Sequence, residues 1–297
     1  MGPDGIRGQD VQLRCADDVA LPATVFAPPH VQAVLVIASA MGVPRQFYRR
    51  CAAALAGRGI GVLTFDYRGI GDAAAAPADP GRVRLEDWGR LDLHAALAEA
   101  RHRWPQAPPF LLGHSVGCQL AGFSPLAESL AGLVFVGCSA PNRRHWRGVG
   151  RLAMGIWMHL IVPLGSRGRW FPARRLRFST LDIPAGVTRQ WGAWSRSAGY
   201  LFDPRHGLET ARYARIACPG LSYTLSDDGY APRRTARALL ARYERVRFEE
   251  RYVRPRDVGA RAIGHLGFFR ESFRDSLWRE LGDWLVRRAA PRRGEAA

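Results

Sequence analysis

Lysine is absent from this sequence: all 43 basic side chains are arginines, which against 26 acidic residues give a formal net charge of +17. This absence, together with abundant alanine and arginine, is typical of a protein from a GC-rich genome. The alternative is functional, because a basic surface attracts acidic lipid headgroups, nucleic acid or a negatively charged substrate. No zinc-finger spacing, aromatic RNA-binding signature or separate basic arm accompanies the charge. We therefore expect a small-molecule substrate, no nucleic-acid partner and at most a weak contact with an anionic membrane surface.

Cysteine is also scarce, and its spacing excludes the usual cysteine-based sites. The five cysteines are odd in number and show neither C-x-x-C nor metal-ligand spacing, which predicts free and mostly buried thiols. No cluster of histidine and carboxylate residues has the spacing of a metal site, and no glycine-rich dinucleotide fingerprint follows the first strand. We predict neither a metal nor a cofactor. The cysteines are Cys15, Cys51, Cys118, Cys138 and Cys218.

Long apolar runs and targeting segments are missing as well. Residues 1–5 lack the basic-then-apolar pattern of a secretion signal, and no run approaches the roughly 18 apolar residues of a membrane span. These absences predict a soluble, cytoplasmic protein. The 297 residues, 47% of them apolar, suffice for one large α/β domain with or without an inserted subdomain.

The most informative stretch that is present spans residues 110–119, Phe-Leu-Leu-Gly-His-Ser-Val-Gly-Cys-Gln. An apolar run ends in Gly-x-Ser-x-Gly, and the following residues can continue as a helix. Small neighbours on so tight a turn let the strand and the helix pass closely, so that Ser115 projects alone from the top of a sheet. The alternative is an ordinary turn between a buried strand and a packed helix.

Strand-like and helix-like segments alternate on both sides of this turn. Alternation of this kind predicts a mainly parallel sheet covered by helices on both faces. Short antiparallel strands are expected at the entry to the sheet, around Asp17 and Asp18. The apolar runs read as buried strands are 33–38, 61–65, 110–112, 133–136 and 221–226.

The alternation stops between about Ser139 and Ala217. Residues 142–215 hold fourteen arginines against three acidic residues, and 152–164 are apolar and compatible with a helix. That helix is too short to span a bilayer but long enough to lie on one or to cover a pocket. We interpret the segment as a helical cap, which is either a lid that lines the substrate site or a satellite hydrophobic cluster with solvated arginines. Its aromatic residues are Trp146, Trp157, Trp170, Phe171, Phe178, Trp191, Trp194, Tyr200 and Phe202.

A serine hydroxyl is a poor nucleophile at neutral pH, so Ser115 needs a base to take its proton and an acid to orient that base. His265 follows the last strand inside Gly-His-x-Gly-Phe-Phe, and Asp227 and Asp228 follow the strand before it. The chain order Ser, Asp, His is the one expected of a hydrolase with a nucleophile elbow. His114, inside the elbow, is predicted to be a packing residue.

Together these motifs resemble the α/β-hydrolase superfamily, and most of all its monoacylglycerol-lipase-like and serine-aminopeptidase-like members. The resemblance covers residues 11–288 and implies a mostly parallel eight-stranded sheet with a helical cap between strands 6 and 7. Its implied boundaries are 1–138 and 218–297 for the core and 139–217 for the cap. The matching motifs are Asp66-Tyr67-Arg68-Gly69-Ile70-Gly71, Gly113-His114-Ser115-Val116-Gly117, Asp228 with Pro232, and Gly264-His265.

The resemblance also implies roles for individual residues. Family members commonly place the triad acid four residues before a proline, which favours Asp228 over Asp227 and leaves Asp227 as an acceptor for backbone donors. Some relatives carry the acid after the preceding strand, but residues 137–142 offer no carboxylate here. The oxyanion hole is implied to use the backbone N–H groups of Val116 and Met41.

Two positions depart from the family pattern. Relatives usually have His-Gly where this chain has Ser39-Ala40, which leaves the second oxyanion donor at Met41 or at a neighbouring residue. Asp72 stands where a serine is usual, and we interpret it as a difference in a surface loop.

The sequence therefore predicts a metal-independent serine hydrolase of carboxylic esters, with an acyl or lipid-like substrate. Two alternatives stay open. The same triad could transfer the acyl group to an acceptor other than water or cleave an amide, and a catalytically silent scaffold could bind a ligand or partner through the basic cap.

Overall fold

An eight-stranded sheet forms the centre of the protein in a computed structural model that describes residues 6–290. The strands of this part of the chain are β1 (Gln9–Arg14), β2 (Ala20–Phe26), β3 (Ala33–Ala38), β4 (Ile60–Phe65), β5 (Pro109–His114), β6 (Gly132–Val136), β7 (Trp170–Phe171), β8 (Ile183–Pro184), β9 (Pro219–Leu225) and β10 (Arg247–Val253). The sheet order is β1-β2-β4-β3-β5-β6-β9-β10, and β7 pairs with β8 in a separate small sheet. Strand β2 is antiparallel to both of its neighbours, and every other pair in the large sheet is parallel. The predicted mostly parallel eight-stranded sheet is confirmed.

Helices cover both faces of the sheet. Helix α3 (His94–Arg103) packs on one face, whereas α1 (Arg49–Ala56) and α11 (Arg279–Ala289) pack on the other. Three π-helical segments, Trp88–Leu93, Trp157–Ile161 and Arg274–Trp278, join α2 to α3, join α5 to α6 and precede α11. The helices are α1 (Arg49–Ala56), α2 (Leu85–Asp87), α3 (His94–Arg103), α4 (Gly117–Leu120), α5 (Gly148–Ile156), α6 (Val162–Gly165), α7 (Ala185–Arg196), α8 (Ala211–Arg215), α9 (Arg233–Leu240), α10 (Gly264–Gly267) and α11 (Arg279–Ala289).

Strand β3 shows why the central strands read as continuous apolar runs. All six of its residues are buried, and they alternate between the two hydrophobic cores. Val34, Val36 and Ala38 join the core beneath α3, and the residues between them join the core beneath α1 and α11. Because successive side chains of a strand point to opposite faces, a strand covered on both sides needs an apolar residue at every position.

The segment between β6 and β9 leaves the sheet and folds over its carboxyl edge. It contains α5 to α8 together with the small β7-β8 sheet, whose strands the sequence did not predict. Two core glycines allow its close approach. A Cβ on Gly69, at φ +83°, would lie 2.3 Å from Cγ of Pro184, and one on Gly42, at φ +72°, would lie 2.3 Å from Oγ of Ser179. Both positions combine a left-handed backbone with no room for a side chain.

One helix overturns the expectation that no segment is long and apolar enough to cross a membrane. Gly148–Gly165 is a continuous 18-residue helix of mean hydropathy 1.3, formed by α5, the π-helical segment Trp157–Ile161 and α6. By length and composition alone it could span a bilayer. The apolar run in the sequence begins at Leu152, because glycines and Arg151 interrupt it before that point, yet the backbone is already helical from Gly148. Residues 1–5, on which the expectation about a secretion signal rests, and residues 291–297 lie outside the described residues.

Buried ion pairs hold the loop that follows β4. The Asp66 carboxylate accepts a hydrogen bond of 2.6 Å from Arg45, and the Asp92 carboxylate accepts one of 2.7 Å from Nε of Arg68. Both carboxylate side chains have no exposed surface. Asp72 lies 2.6 Å from the same Arg45 guanidinium. Asp72 is 60% exposed in the loop after β4, in keeping with its interpretation as a surface-loop difference, and its carboxylate also joins this cluster.

Replacing Arg68 by methionine should destabilise the protein strongly. The change keeps most of the side-chain volume but leaves the Asp92 carboxylate buried without its cation, which typically costs about 3–5 kcal/mol of the free energy of unfolding. The midpoint of urea-induced unfolding measures the effect. Arg14→Met is the matched control, because Arg14 pairs with Asp18 in solvent, where side chains of 76% and 85% exposure contribute little. Equal midpoints for the two variants would contradict the assignment.

Candidate active site

Ser115 lies on a strained turn between β5 and α4. Its backbone has φ +54°, a left-handed conformation that costs a residue with a side chain about 1–2 kcal/mol. The flanking glycines are required by contact: a Cβ on Gly113 would lie 2.6 Å from N of Cys118, and one on Gly117 would lie 2.2 Å from O of Ala38. This is the geometry of a nucleophile elbow, in which strand and helix pass too closely for any side chain.

The structure places His265 against Asp228. Nδ1 of His265 lies 2.7 Å from Oδ2 of Asp228, whose side chain is completely buried. The other carboxylate oxygen of Asp228 accepts the backbone N–H groups of Tyr230 at 2.8 Å and Ala231 at 3.1 Å. Because a carboxylate can only accept, Nδ1 of His265 carries the hydrogen and Nε2 is left free to accept a proton.

Asp227 has a different position from that of Asp228. Its Oδ2 accepts the backbone N–H groups of Ile263 at 2.8 Å and Gly264 at 3.1 Å, at the start of α10. The two adjacent carboxylates therefore hold residues 263–265, the histidine loop, in two ways. Asp227 fixes its backbone, and Asp228 fixes the imidazole ring.

A cavity of about 920 Å³ brings the predicted residues together at the carboxyl edge of the sheet. Ser115 and His265 both line it, and so do Met41 and Val116. In the part of the chain that the structure describes, the hydroxyl of Ser115 makes no hydrogen bond to the imidazole ring of His265. Such bonds are often long or poorly aligned before substrate binds. Ser115 and His265 therefore line one cavity but are not hydrogen-bonded to each other.

The two predicted oxyanion donors have free N–H groups. Val116 immediately precedes α4, where the first N–H groups of a helix have no partner within it. Met41 lies in the turn after β3, and no acceptor among the described residues bonds its N–H or that of Val116. The close contact between Gly117 and Ala38 brings these two segments side by side. Both donors are thus available to a ligand in the cavity.

The remaining cavity lining is mainly apolar, and most of it comes from the inserted segment. Tyr230 adds an aromatic ring whose centroid lies 5.3 Å from that of His265. Arg177 and Arg270 are the cationic members, and no Asp or Glu lines this cavity among the described residues. The apolar side chains that the inserted segment contributes to the lining are those of Pro141, Trp146, Ala153, Met154, Trp157, Met158, Leu176, Phe178 and Trp191.

His114 is buried, as predicted for a packing residue, but sequence reasoning missed its hydrogen bonds. The ring has no exposed surface. Its Nε2 lies 3.0 Å from the backbone oxygen of His265, and its Nδ1 lies 2.8 Å from Oη of Tyr48, which in turn accepts the backbone N–H of Ala40 at 2.9 Å. One chain of hydrogen bonds thus joins the loop after β3, the elbow and the histidine loop. No local signal could have found it, since the partners are 66 and 151 residues away from His114.

The proton positions in this chain follow from the acceptors at its ends. The carbonyl of His265 can only accept, so Nε2 of His114 carries the hydrogen, and Nδ1 accepts the hydroxyl hydrogen of Tyr48. The His114 ring is therefore neutral. Burial, and next to it the nearby His265, hold the pKa of His114 well below its ordinary value.

Comparison with known proteins agrees with the observed fold. A family model described as serine aminopeptidase, S33, matches residues 29–167. No curated protein sequence matches the chain.

Several solved structures share the fold. An esterase from Pyrococcus furiosus is 14% identical over 97% of this chain and 95% of that chain, with a TM-score of 0.59. A monoacylglycerol lipase from Paleococcus ferrophilus is 19% identical over 90% of this chain and 99% of that chain, with a TM-score of 0.57. An esterase from Thermogutta terrifontis with bound malate is 17% identical over 95% of this chain and 100% of that chain, with a TM-score of 0.58.

The buried His114 predicts how stability depends on pH. Because its pKa is lower in the folded than in the unfolded protein, the unfolded chain binds more protons between the two values. The contribution of His114 to stability is complete above pH 6.5, its ordinary pKa, and is lost as the pH falls below that value. The slope from this one group approaches about 1.4 kcal/mol per pH unit.

His114→Gln should remove this part of the slope, as measured by urea unfolding between pH 5 and pH 7. His30→Gln is the control, because His30 is exposed and its loss should leave the slope unchanged. An unaltered slope in the His114 variant would show that the ring is already protonated in the folded protein.

Proposed function

We propose that the chain, which is similar to α/β-hydrolases in its fold and over residues 29–167, is a serine hydrolase that cleaves a carboxylic ester with an apolar acyl group. The observation that carries the proposal is the 2.7 Å contact of the buried Asp228 with His265, which lines one cavity together with Ser115. An acid-oriented imidazole that shares a cavity with a half-buried serine on a strained elbow is an arrangement that can activate a hydroxyl.

In the proposed acylation step, Oγ of Ser115 attacks the ester carbonyl carbon while Nε2 of His265 takes the hydroxyl proton. Asp228 keeps Nδ1 protonated and stabilises the imidazolium that forms. The negative charge that develops on the carbonyl oxygen is stabilised by the N–H groups of Val116 and Met41. Collapse of the intermediate breaks the bond to the alcohol oxygen, which receives the proton from His265.

Deacylation reverses these roles with water as the nucleophile. His265 takes a proton from water, whose oxygen attacks the acyl carbon. The second tetrahedral intermediate uses the same two N–H groups. Its collapse returns the proton to Ser115 and releases the carboxylic acid. Metal ions and cofactors have no part in this sequence of steps.

The size and lining of the cavity favour the proposal of an apolar acyl group over a small polar one. Its volume of about 920 Å³ is at the upper end of the range usual for small-molecule sites, and its walls are mostly aromatic and aliphatic side chains. The structural similarity to an esterase and to a monoacylglycerol lipase is consistent with this substrate class.

Ser115→Ala should abolish hydrolysis. We expect a fluorophosphonate probe to label the wild-type protein but not the variant, and hydrolysis of a p-nitrophenyl octanoate to fall by about four or more orders of magnitude. Ser139→Ala is the matched control, because Ser139 lines the same cavity away from the elbow and should keep both labelling and turnover. Labelling of the Ser115 variant would overturn the assignment, and no labelling of either protein would favour a binding scaffold.

Asp228→Asn and Asp227→Asn should differ in their effect on turnover. In Asp228→Asn the new amide would present its NH₂ group to His265 and favour the wrong ring tautomer, which lowers kcat about 10⁴-fold where it has been measured in such triads. In Asp227→Asn the side-chain oxygen can still accept the two backbone N–H groups, so we expect a loss of less than about tenfold. Steady-state kinetics on the same ester compares them, and equal losses would count against Asp228 as the orienting acid.

A further inference from the structure

The helix Gly148–Gly165 exposes an apolar face to solvent. Only 11% of its residues are buried. We define its outer face as Val149, Leu152, Ile156, Leu160 and Leu164, which follow one another at intervals of three and four residues and are 45% to 84% exposed. Side chains at these intervals lie on one side of a helix. The outer face is therefore a continuous stripe, about 23 Å long at 1.5 Å per residue.

Exposed apolar side chains are concentrated here rather than spread over the surface. Nine large hydrophobic residues are exposed in the described part of the chain, and seven of them lie between Val149 and Leu176. Five of these seven form the outer face, and the remaining two are Trp170 and Leu176. A contiguous apolar patch of this kind marks an interaction surface, whereas single exposed residues are normal.

The chain segment that contains the outer face carries charge of one sign. Residues 142–181 contain nine arginines and no aspartate or glutamate. Arg147 and Arg151 lie at the beginning of the helix, and Arg167 and Arg169 follow its end. Among the described carboxylates, only that of Asp79 pairs with any of the nine arginines, at 3.5 Å from Arg169. The nine are Arg143, Arg144, Arg147, Arg151, Arg167, Arg169, Arg174, Arg175 and Arg177.

The opposite side of the same helix faces the candidate active site. Ala153, Met154, Trp157 and Met158 line the cavity that holds Ser115. Leu176 belongs both to the exposed patch and to the cavity wall. The apolar patch and the cavity are thus two sides of one structural element.

From these observations we propose that the protein docks on an anionic lipid bilayer through the outer face, with the helix lying along the surface. Apolar side chains would enter the boundary between headgroups and acyl chains, and the arginines would neutralise anionic headgroups. The cavity would then open at the lipid surface, from which an ester could enter it. This last step rests on the proposed hydrolase function, whereas docking does not.

The contacts of the helix argue for lying on the bilayer rather than crossing it. Val162 is buried, and its Cγ1 would lie 2.7 Å from a Cβ on Gly192 of α7. The hydroxyl of Ser166, directly after the helix, bonds that of Thr188 of α7 at 2.8 Å. A membrane-spanning position would break these contacts and remove one wall of the cavity.

Co-sedimentation with vesicles tests the proposal. We expect the full chain to bind vesicles of equal parts phosphatidylcholine and phosphatidylglycerol and to bind pure phosphatidylcholine much more weakly. Raising the salt concentration should weaken the binding, because exposed charges are screened within a Debye length. Equal affinity for both vesicle types, or affinity indifferent to salt, would overturn the anionic part of the proposal. Resistance to extraction by high salt and alkaline carbonate would show a spanning helix instead.

Two pairs of substitutions separate the apolar and the cationic contributions. Leu152→Gln with Leu160→Gln should lower vesicle affinity about tenfold or more, because two exposed leucines no longer enter the bilayer. Arg147→Gln with Arg151→Gln should lower it about fivefold for each arginine at low salt. Arg245→Gln with Arg247→Gln is the control, since it removes the same charge at the opposite edge of the sheet. If both arginine pairs lowered vesicle affinity equally, binding would depend on the net charge of the protein and not on this surface.

Activity measurements keep docking and catalysis distinguishable. The leucine pair lies outside the cavity lining, so hydrolysis of a short soluble p-nitrophenyl ester should be unchanged while hydrolysis of a vesicle-embedded ester falls with binding. Ser115→Ala should bind vesicles like the wild type, and vesicle binding without hydrolysis by the wild type would overturn the proposed function alone. A dimer in light scattering that the leucine pair dissociates, without vesicle binding, would show that a second copy covers the face.

Discussion

One buried imidazole connects the three loops on which the proposed chemistry depends. His114 bonds the backbone oxygen of His265 on one side and the hydroxyl of Tyr48 on the other, and Tyr48 accepts the N–H of Ala40, next to the proposed oxyanion donor. Since a carbonyl and an N–H group terminate this chain, only one arrangement of protons satisfies every member. The elbow, the base and the oxyanion loop therefore form one hydrogen-bonded unit, which requires the ring to stay neutral.

The arginines of this chain serve two separate physical purposes. Arg45 and Arg68 are almost completely buried and neutralise carboxylates within the fold, so they contribute nothing to the field outside it. About half of the net charge of +17 instead comes from residues 142–181, whose nine arginines precede and follow one apolar helix or begin it, with no acidic residue among them. A net charge of +17 therefore describes an asymmetric molecule, not a uniformly basic one.

Local patterns in the sequence allow prediction where the cause is local. The apolar run of β3 and the small residues around Ser115 indicated a buried strand and a tight turn, because burial on two faces and steric closeness restrict the residue type directly. The position of His265 after the last strand also followed from its motif. The role of His114, the ion pairs of Asp72 and the exposure of Leu152 depend on partners distant in sequence or on what covers a helix. No periodicity or spacing records such contacts.

The hydrogen bonds of His114 also determine when the site can exist. Its partner Tyr48 is 66 residues earlier in the chain, but the carbonyl that it bonds is 151 residues later. At ordinary rates of synthesis these residues take roughly 8 to 30 s to emerge from a ribosome. During that interval the elbow lacks the side chain of His265, the proposed base, and also the backbone oxygen of His265, which His114 bonds. Under the proposed mechanism, the nascent chain is therefore inert toward esters until His265 has emerged.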